Sequence, residues 1–333
     1  MTAVAVHHLE LGPGTTRGSF DRELEPVLTV DSGDSVTCRL LDGDWLTESI
    51  TGPPARHGVG VPWRRPLLDD GHAMVGPIAV RGARPGMTLR IGIDEVVPAD
   101  WGWSRSGGRP VEHDRELGID DDGVHYLRWD LVSADGAATS NEGHRVRMRP
   151  FLGLIGLAPG EPGRHSTHPP RRTGGNIDCR ELVAGSELYL PVEVEGAFLF
   201  LGDGHAAQGD GEVGGTAIEC PMDRVRVTVE LLPELSIPGP RARTEEGWVV
   251  FGFAPTLDEA AFAALRGMGT LMSELYGFGR KEAMNLAGAV VDLRVTQLVN
   301  GVKGVHAVLP HDALQGSAVK AVRRSAVAGV RAL

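Results

Sequence analysis

The sequence predicts a mainly β protein, a β-sandwich or jelly-roll-like arrangement with a smaller α/β portion near the C-terminus. Three observations carry this. With 46 glycines and 22 prolines in 333 residues, about one position in five favours turns, which a helical bundle does not tolerate. Through roughly residue 230 the apolar residues fall in short alternating runs bounded by turn signals, the pattern of half-buried strands. Helical start and stop signals appear only after residue 255.

Residues 24–30 and 35–41 are two alternating runs joined by Asp31-Ser32-Gly33-Asp34. A second pair, 77–80 and 87–97, is joined by Gly82-Ala83-Arg84-Pro85-Gly86, and a third, 188–194 and 197–201, by Glu195-Gly196. Residues 224–232, RVRVTVELL, alternate cleanly. Thr256-Leu257-Asp258-Glu259 has the spacing of a capping box, in which hydroxyl and carboxylate each satisfy the other residue's backbone N–H. A helix is expected from there to about Tyr276, stopped by Gly277, then a second over 280–291 and a β-branched strand over 295–299. From Ala313 onward, Lys320, Arg323, Arg324 and Arg331 stand among small residues and read as solvated charge. Residues 99–116, rich in Gly, Trp and Arg and without a clear period, read as a long loop; 120–122 and 134–143 read as exposed turns. On this division residues 1–235 form a mainly β catalytic region, and 236–333 an α/β portion packed on it.

The formal net charge of −11 argues against nucleic-acid or anionic-membrane partners, which attract basic surfaces. Cys38, Cys179 and Cys220 are far apart and odd in number, so no disulfide framework and no CxxC metal spacing is expected. The first residues, MTAVAVHHLELGPG, lack the basic and apolar regions of a signal peptide, and no run approaches the roughly 20 apolar residues of a membrane span. A cytoplasmic location is the expectation.

The chemistry concentrates in residues 202–219, GDGHAAQGDGEVGGTAIE, directly after the apolar run AFLFL. Asp203, His205, Gln208, Asp210, Glu212 and Glu219 lie here among six glycines, which let the backbone turn sharply enough for polar side chains to converge. One imidazole and several carboxylates suit a divalent cation such as zinc. Asp203 and His205, two apart, share a face if the strand continues that far. A carboxylate left free could act as general base for a water acidified by the cation. A second cluster runs from Ser166-Thr167-His168-Pro169-Pro170 to Gly174-Gly175-Asn176-Ile177-Asp178, and a third is His72 with Gly76-Pro77. Taken alone, a plain Asx-type turn is the favoured reading of the second, and a single histidine is usually a surface or core residue.

Together these residues resemble the acetamidase/formamidase family. The resemblance rests on HAMVGPIAVRG (72–82) with Pro85-Gly86, RPFLGLIG (149–156), GGNID (174–178), LYLPV (188–192), GDGHAAQGDGEVGGTAIE, and DLRVTQLVNG (292–301) with Gly304-Val305-His306. It covers roughly residues 25–312, and HAAQGDGE beside GGN-x-D is its specific core. Gly204 stands where members of the family often carry Val.

The resemblance implies a mainly β, partly jelly-roll fold, a divalent metal (often zinc), hydrolysis of short aliphatic amides, and a homo-oligomer. It also implies that GGN-x-D and the glycine-rich segment meet. On this chain the metal ligands would then be Asp178, Asp203 and His205. Glu219 or Glu212 would be the acid/base, Asn176 would support the oxyanion, and Gln208, Asp210 and His72 would contact substrate. Three rivals stay open: a cysteine nucleophile, since Cys179 adjoins Asp178 and Cys220 adjoins Glu219; a non-catalytic β-sandwich whose cluster holds a structural cation or ligand; and a hydrolase of a larger or cyclic amide.

Overall fold

The structure, a computed structural model, describes residues 4–49, 60–121 and 123–315. The basic tail beyond residue 315 and Asp122 therefore lie outside the described residues. Along the chain come β1 (Val6–Leu9), β2 (Thr16–Arg17), β3 (Phe20–Asp21), β4 (Leu28–Val30), β5 (Ser35–Leu40), β6 (Met74–Val80) and β7 (Thr88–Pro98). Next are β8 (Trp101–Ser106), α1 (Glu112–Glu116), β9 (His125–Asp130), β10 (Ala137–Ser140), β11 (Arg145–Arg147), β12 (Phe151–Leu157), β13 (Arg164–His165) and β14 (Gly174–Asn176). β15 (Glu187–Pro191), β16 (Leu199–Ala207), β17 (Ile218–Glu219), β18 (Met222–Leu232), β19 (Arg241–Arg243) and β20 (Gly247–Ala254) follow. The last elements are α2 (Leu257–Tyr276), α3 (Arg280–Val290), β21 (Asp292–Gln297) and β22 (Lys303–Pro310).

Two sheets make a sandwich. The first has the order β1-β5-β18-β7-β15-β19-β20-β22-β21. The second runs β11-β10-β9-β8-β17-β16-β12-β14, with β6 alongside β16 and in turn flanked by β2 and β4. One core joins them: Val36, Ile91, Leu188 and Val227 of the first sheet cluster with Val75, Leu152, Ile155 and Leu201 of the second. Interdigitating inner faces of this kind define a sandwich. β18 shows the alternation read from its sequence, Val225, Val227 and Val229 buried between more exposed neighbours.

The three predicted strand–turn–strand units contain strands, but none is a hairpin. β4 pairs with β6 while β5 pairs with β1 and β18. β6 pairs with β16 while β7 pairs with β18 and β15. β15 pairs with β7 and β19, and β16 lies in the other sheet. Each turn is a corner where the chain crosses between sheets. Such a corner has the same local turn chemistry as a hairpin, so periodicity does not tell them apart.

After residue 235 the chain contributes β19, β20, β22 and β21 to the first sheet, where β20 pairs with β22 along its whole length. α2 packs Ala260, Ala264, Met268 and Met272 against Val250, Val305 and Ala307. Gly252 permits this close approach, since a Cβ there would run into the Ala260 carbonyl oxygen and come within 2.5 Å of the Ala264 nitrogen. Thr256 caps the helix by accepting from the Glu259 N–H at 3.3 Å, and Gly277 ends it at φ 73°. The Glu259 carboxylate accepts from the Thr256 hydroxyl (2.9 Å), so the expected reciprocal capping box is half realised. The expected strand at 295–299 lies earlier, starting as soon as α3 ends.

The region 99–116 is not a loop throughout: it holds β8 and the short α1. Its period of two, Trp101, Trp103 and Arg105 against Gly102, Ser104 and Ser106, is masked because glycine and arginine do not follow the usual apolar–polar alternation. Likewise 137–140, inside the expected turn at 134–143, is β10. Among the described residues no helix is long and apolar enough to cross a membrane.

Candidate active site

The site is built on β16, buried along its whole length. β12 and β17 flank the C-terminal end of β16, with His205 opposite both Phe151 and Glu219. Asp203 sits mid-strand at φ 56°, Asp178 just after β14 at φ 55°, and Glu212 in the glycine-rich loop at φ 49°. Left-handed backbone is uncommon for residues other than glycine, costs on the order of 1–3 kcal/mol each, and concentrates at functional sites. The Asp178 N–H donates to the Gly153 carbonyl at 3.1 Å, which docks the GGN-x-D turn onto β12. The glycine-rich loop is tied to β21 by Gly211 N–H donating to the Thr296 carbonyl and Leu298 N–H to the Gly211 carbonyl, both 3.1 Å.

These constraints bring five ionisable side chains together. His205 Nε2 lies 3.1 Å from Glu219 Oε2 and 3.4 Å from Asp203 Oδ2, and His205 Nδ1 lies 3.9 Å from Asp178 Oδ1. Burial pushes the Asp178 carboxyl up to about 8, with His205 pulling against it and Asp203 adding to the rise. Burial works the same way on Asp203, but His72, His205 and His168 overcome it and hold that carboxyl at about 2. Burial disfavours charge on His205, yet Glu219 and Asp203 hold the imidazole well above its ordinary value. Glu212 is pushed well above the usual carboxylate range by burial and by Asp178.

One donor atom each of Asp178, Asp203 and His205 falls within 4.8 Å of the other two. Asp178 Oδ1 and His205 Nδ1 are buried without a hydrogen-bond partner, an arrangement that is costly unless something else binds them. The space between the three is closed off by a backbone without a side chain. A Cβ on Gly153 would come to 2.5 Å from Asp178 Oδ1, 2.7 Å from His205 Cε1 and 2.8 Å from Asp203 Oδ2. Two carboxylates and one imidazole around such a cradle fit a divalent cation with nitrogen and oxygen ligands, such as zinc. A second buried group, Cys179, Glu181 and His306, also has ligand-type residues. There Arg294 Nη1 donates to Glu181 Oε1 at 3.2 Å, so a cation already compensates the carboxylate.

Beside the first cluster lies a cavity of about 340 Å3 whose wall includes Asn176, Asp203, Glu212, Glu219 and His72. His72 is fixed by Thr167, whose hydroxyl oxygen lies 2.9 Å from both its backbone N and its Nδ1, and its ring meets His168 edge-on at 4.6 Å. Gln208 and Asp210 do not reach this cavity. The Gln208 amide donates to the Asp178 carbonyl at 2.8 Å, bracing the turn from behind. Asp210 faces Arg180 at 4.0 Å, and burial with Glu181 nearby raises its carboxyl. Cys179 and Cys220 are buried and burial pushes both thiols well above their ordinary value, unlike a nucleophilic cysteine.

Sequence reasoning missed two contributors. Asn300 donates its side-chain amide to Asp178 Oδ2, and is itself held by Gln297, whose Oε1 accepts from the Val299 and Asn300 N–H groups at 2.9 and 3.1 Å. Gly153 provides the cradle. Gly204 stays side-chain-free because a Cβ would lie 2.6 Å from both the Cys220 carbonyl oxygen and Met222 Cε.

The profile of the acetamidase/formamidase family matches residues 15–166 and 160–314. An acetamidase of Mycolicibacterium smegmatis is 31% identical over 198 residues, 43% of this chain and 49% of that protein. A formamidase of Methylophilus methylotrophus is 26% identical over 258 residues, 60% of each. The chain thus spans about half to two thirds of the length of the curated relatives it matches. A crystal structure of a predicted acetamidase/formamidase from Thermoanaerobacter tengcongensis superposes with a TM-score of 0.80 at 28% identity, covering 92% of this chain and 96% of that one. With both halves of the sequence matched, the chain belongs to the acetamidase/formamidase family.

Proposed function

We propose that this protein hydrolyses the C–N bond of a small linear amide of the formamide or acetamide type, releasing ammonia, with a divalent cation, zinc, held by Asp178, Asp203 and His205. One observation carries the reading: three buried ligand-type side chains converge within 4.8 Å beside an ion-paired glutamate on a cavity wall. The family's named activities support the same bond.

A cation bound there supplies Lewis acidity for the amide carbonyl and makes water a better nucleophile near neutral pH. The chain's own groups do the rest. Glu219 is held by the Ala217 N–H at Oε1 (2.9 Å) and by His205 at Oε2, so its carboxylate is fixed where it can take a proton from the attacking water. It then delivers that proton to the nitrogen, because an amide leaves poorly unless protonated. Glu212 is the second acid/base on the wall. Asn176 lines the same cavity and offers its amide N–H groups to the developing oxyanion. His72 borders the substrate space. Gln208 and Asp210 act behind the site.

The three reduced cysteines and the family resemblance support a cytoplasmic homo-oligomer, which light scattering on purified protein would test. For the reaction, the experiment is ammonia release from formamide, acetamide and propionamide, before and after chelation and with Zn2+ restored. Turnover lost on chelation and regained with zinc is expected. No ammonia from any of the three, with metal bound stoichiometrically, would refute the small-amide reading.

A further inference from the structure

We propose that the pocket is shaped for an amide carrying a carboxylate at its far end, a monoamide of a short dicarboxylic acid, and that Arg105 recognises that carboxylate. The inference rests on the amidase reading above and extends it to the substrate class.

The cavity, about 340 Å3, is the volume of about ten water molecules, and acetamide would fill a fraction of it. Its wall carries cationic side chains that a neutral substrate does not call for. Arg105 lines it, and its backbone is fixed on both sides by Thr216, at 3.1 Å from Oγ1 to each of N and O. The guanidinium carbon lies 5.6 Å from the centroid of the Trp103 ring. Trp103 is itself pinned by its indole N–H donating to Asp42 at 2.6 Å. The arginine is therefore preorganised.

It is also without a carboxylate partner. Among the described residues no carboxylate comes within 4.0 Å of its side chain, and because Nε is itself occluded, the terminal Nη groups are the ones left to meet a ligand in the cavity. Two other carboxylates on the wall, Asp44 and Glu112, make no ion pair with it. The neighbouring Arg109 shows the contrast, its guanidinium being consumed by Asp114 at 3.1 and 3.2 Å. Lys303 contributes a second positive charge; its ammonium donates to the Leu298 carbonyl at 2.7 Å and, among the described residues, makes no ion pair. A planar guanidinium with no carboxylate of its own is the natural partner of a ligand carboxylate, which its two terminal nitrogens can hold through two parallel hydrogen bonds.

The spacing fits. Trp103 is the register partner of Glu219. Arg105 lies two residues on, on the same face and about 7 Å along the strand. An amide carbon at Glu219 and a carboxylate at Arg105 are thus separated by a few methylenes. In the reaction the C–N bond breaks, the water oxygen joins the carbonyl carbon, both water protons pass to the leaving nitrogen, and the products are a dicarboxylate and ammonium.

The test compares succinamate with succinamide, its neutral counterpart of equal length, alongside acetamide. The wild-type protein should favour succinamate by at least tenfold in kcat/KM, mainly through KM. Arg105→Gln should bring that ratio to about one, and Arg105→Lys, which keeps the charge without the planar fork, should fall between. Acetamide turnover with no preference for succinamate would leave the amidase reading intact and overturn this inference. If no amide is hydrolysed, calorimetric binding of succinate decides: at least tenfold tighter binding to wild type than to Arg105→Gln supports the inference, and equal affinity overturns it.

Discussion

Gly153→Ala asks whether the cradle is the working centre. The added methyl would stand 2.5 Å from Asp178 Oδ1 and 2.8 Å from Asp203 Oδ2, closer than the 3.0 Å that real Cβ atoms respect. The atoms in its way are side-chain tips, so the fold survives and the ligand set shifts. Relief requires movements approaching half an ångström at two carboxylates that Asn300, His205 and the backbone hold in place. Overpacking of this size costs about 1–3 kcal/mol of stability. A misplacement of about 1 Å at a reacting centre costs about 100-fold in rate, so a loss of 10- to 100-fold is expected here. The assay is ammonia release per bound metal, with metal content measured by atomic emission and folding by circular dichroism. Native-like spectra with metal content and turnover both reduced are the expected result. If Gly153→Ala kept stoichiometric metal and turnover within twofold of wild type, the three residues around it would not be the catalytic ligand set.

Glu219→Gln should lower kcat by about 100- to 10,000-fold with metal content unchanged, the range for loss of a general base; full activity in both Glu219→Gln and Glu212→Gln would remove both from the mechanism. His306 is fully buried, and burial lowers it from 6.5 to about 4, with Arg294 adding to the effect of burial and the Glu181 carboxylate opposing it. As pH falls below 6.5 the unfolded chain takes up a proton that the folded one resists until about pH 4. Stability present above 6.5 should therefore drop by about 3 kcal/mol across that window. Urea midpoints at pH 7 and pH 4.5 measure it, and His306→Gln should flatten the slope. Thr256→Ala removes the cap of α2 and should cost about 1 kcal/mol, read as a lower thermal midpoint with unchanged turnover. Gly252→Ala forces a methyl into the backbone of α2, which cannot give, and should cost more than about 3 kcal/mol, seen as loss of soluble protein.

The sandwich and the two long helices were legible because their signals are local: alternation in β18, a cap at Thr256, a stop at Gly277. The cluster Asp203, His205 and Glu219 was legible for the same reason, since a strand running into a glycine-rich loop concentrates it in seventeen residues. Sheet partnership was not, because a corner between sheets and a hairpin use the same turn residues. Gly153 hid inside FLGLIG, where it reads as ordinary strand core. Asn300 stands 122 residues from the aspartate it holds; the family-like segment 292–301 contains it, but carries no signal of its contact with Asp178. Gln208 and Asp210 share the dense motif, yet backbone turns direct their side chains to the rear of the site and to Arg180, a choice that adjacency in sequence does not encode.

The clamp of Asn300 on Asp178 sets an order of assembly. While the chain is still being synthesised, Asp178, Asp203 and His205 all leave the ribosome well before the loop that carries Asn300, and before β22, the partner that β20 needs along its full length. At roughly 5–20 residues per second, that interval lasts several seconds. Through it Asp203 and His205 already exist but the Asp178 carboxylate is not yet anchored, so the geometry of the centre is complete only when the C-terminal loop docks.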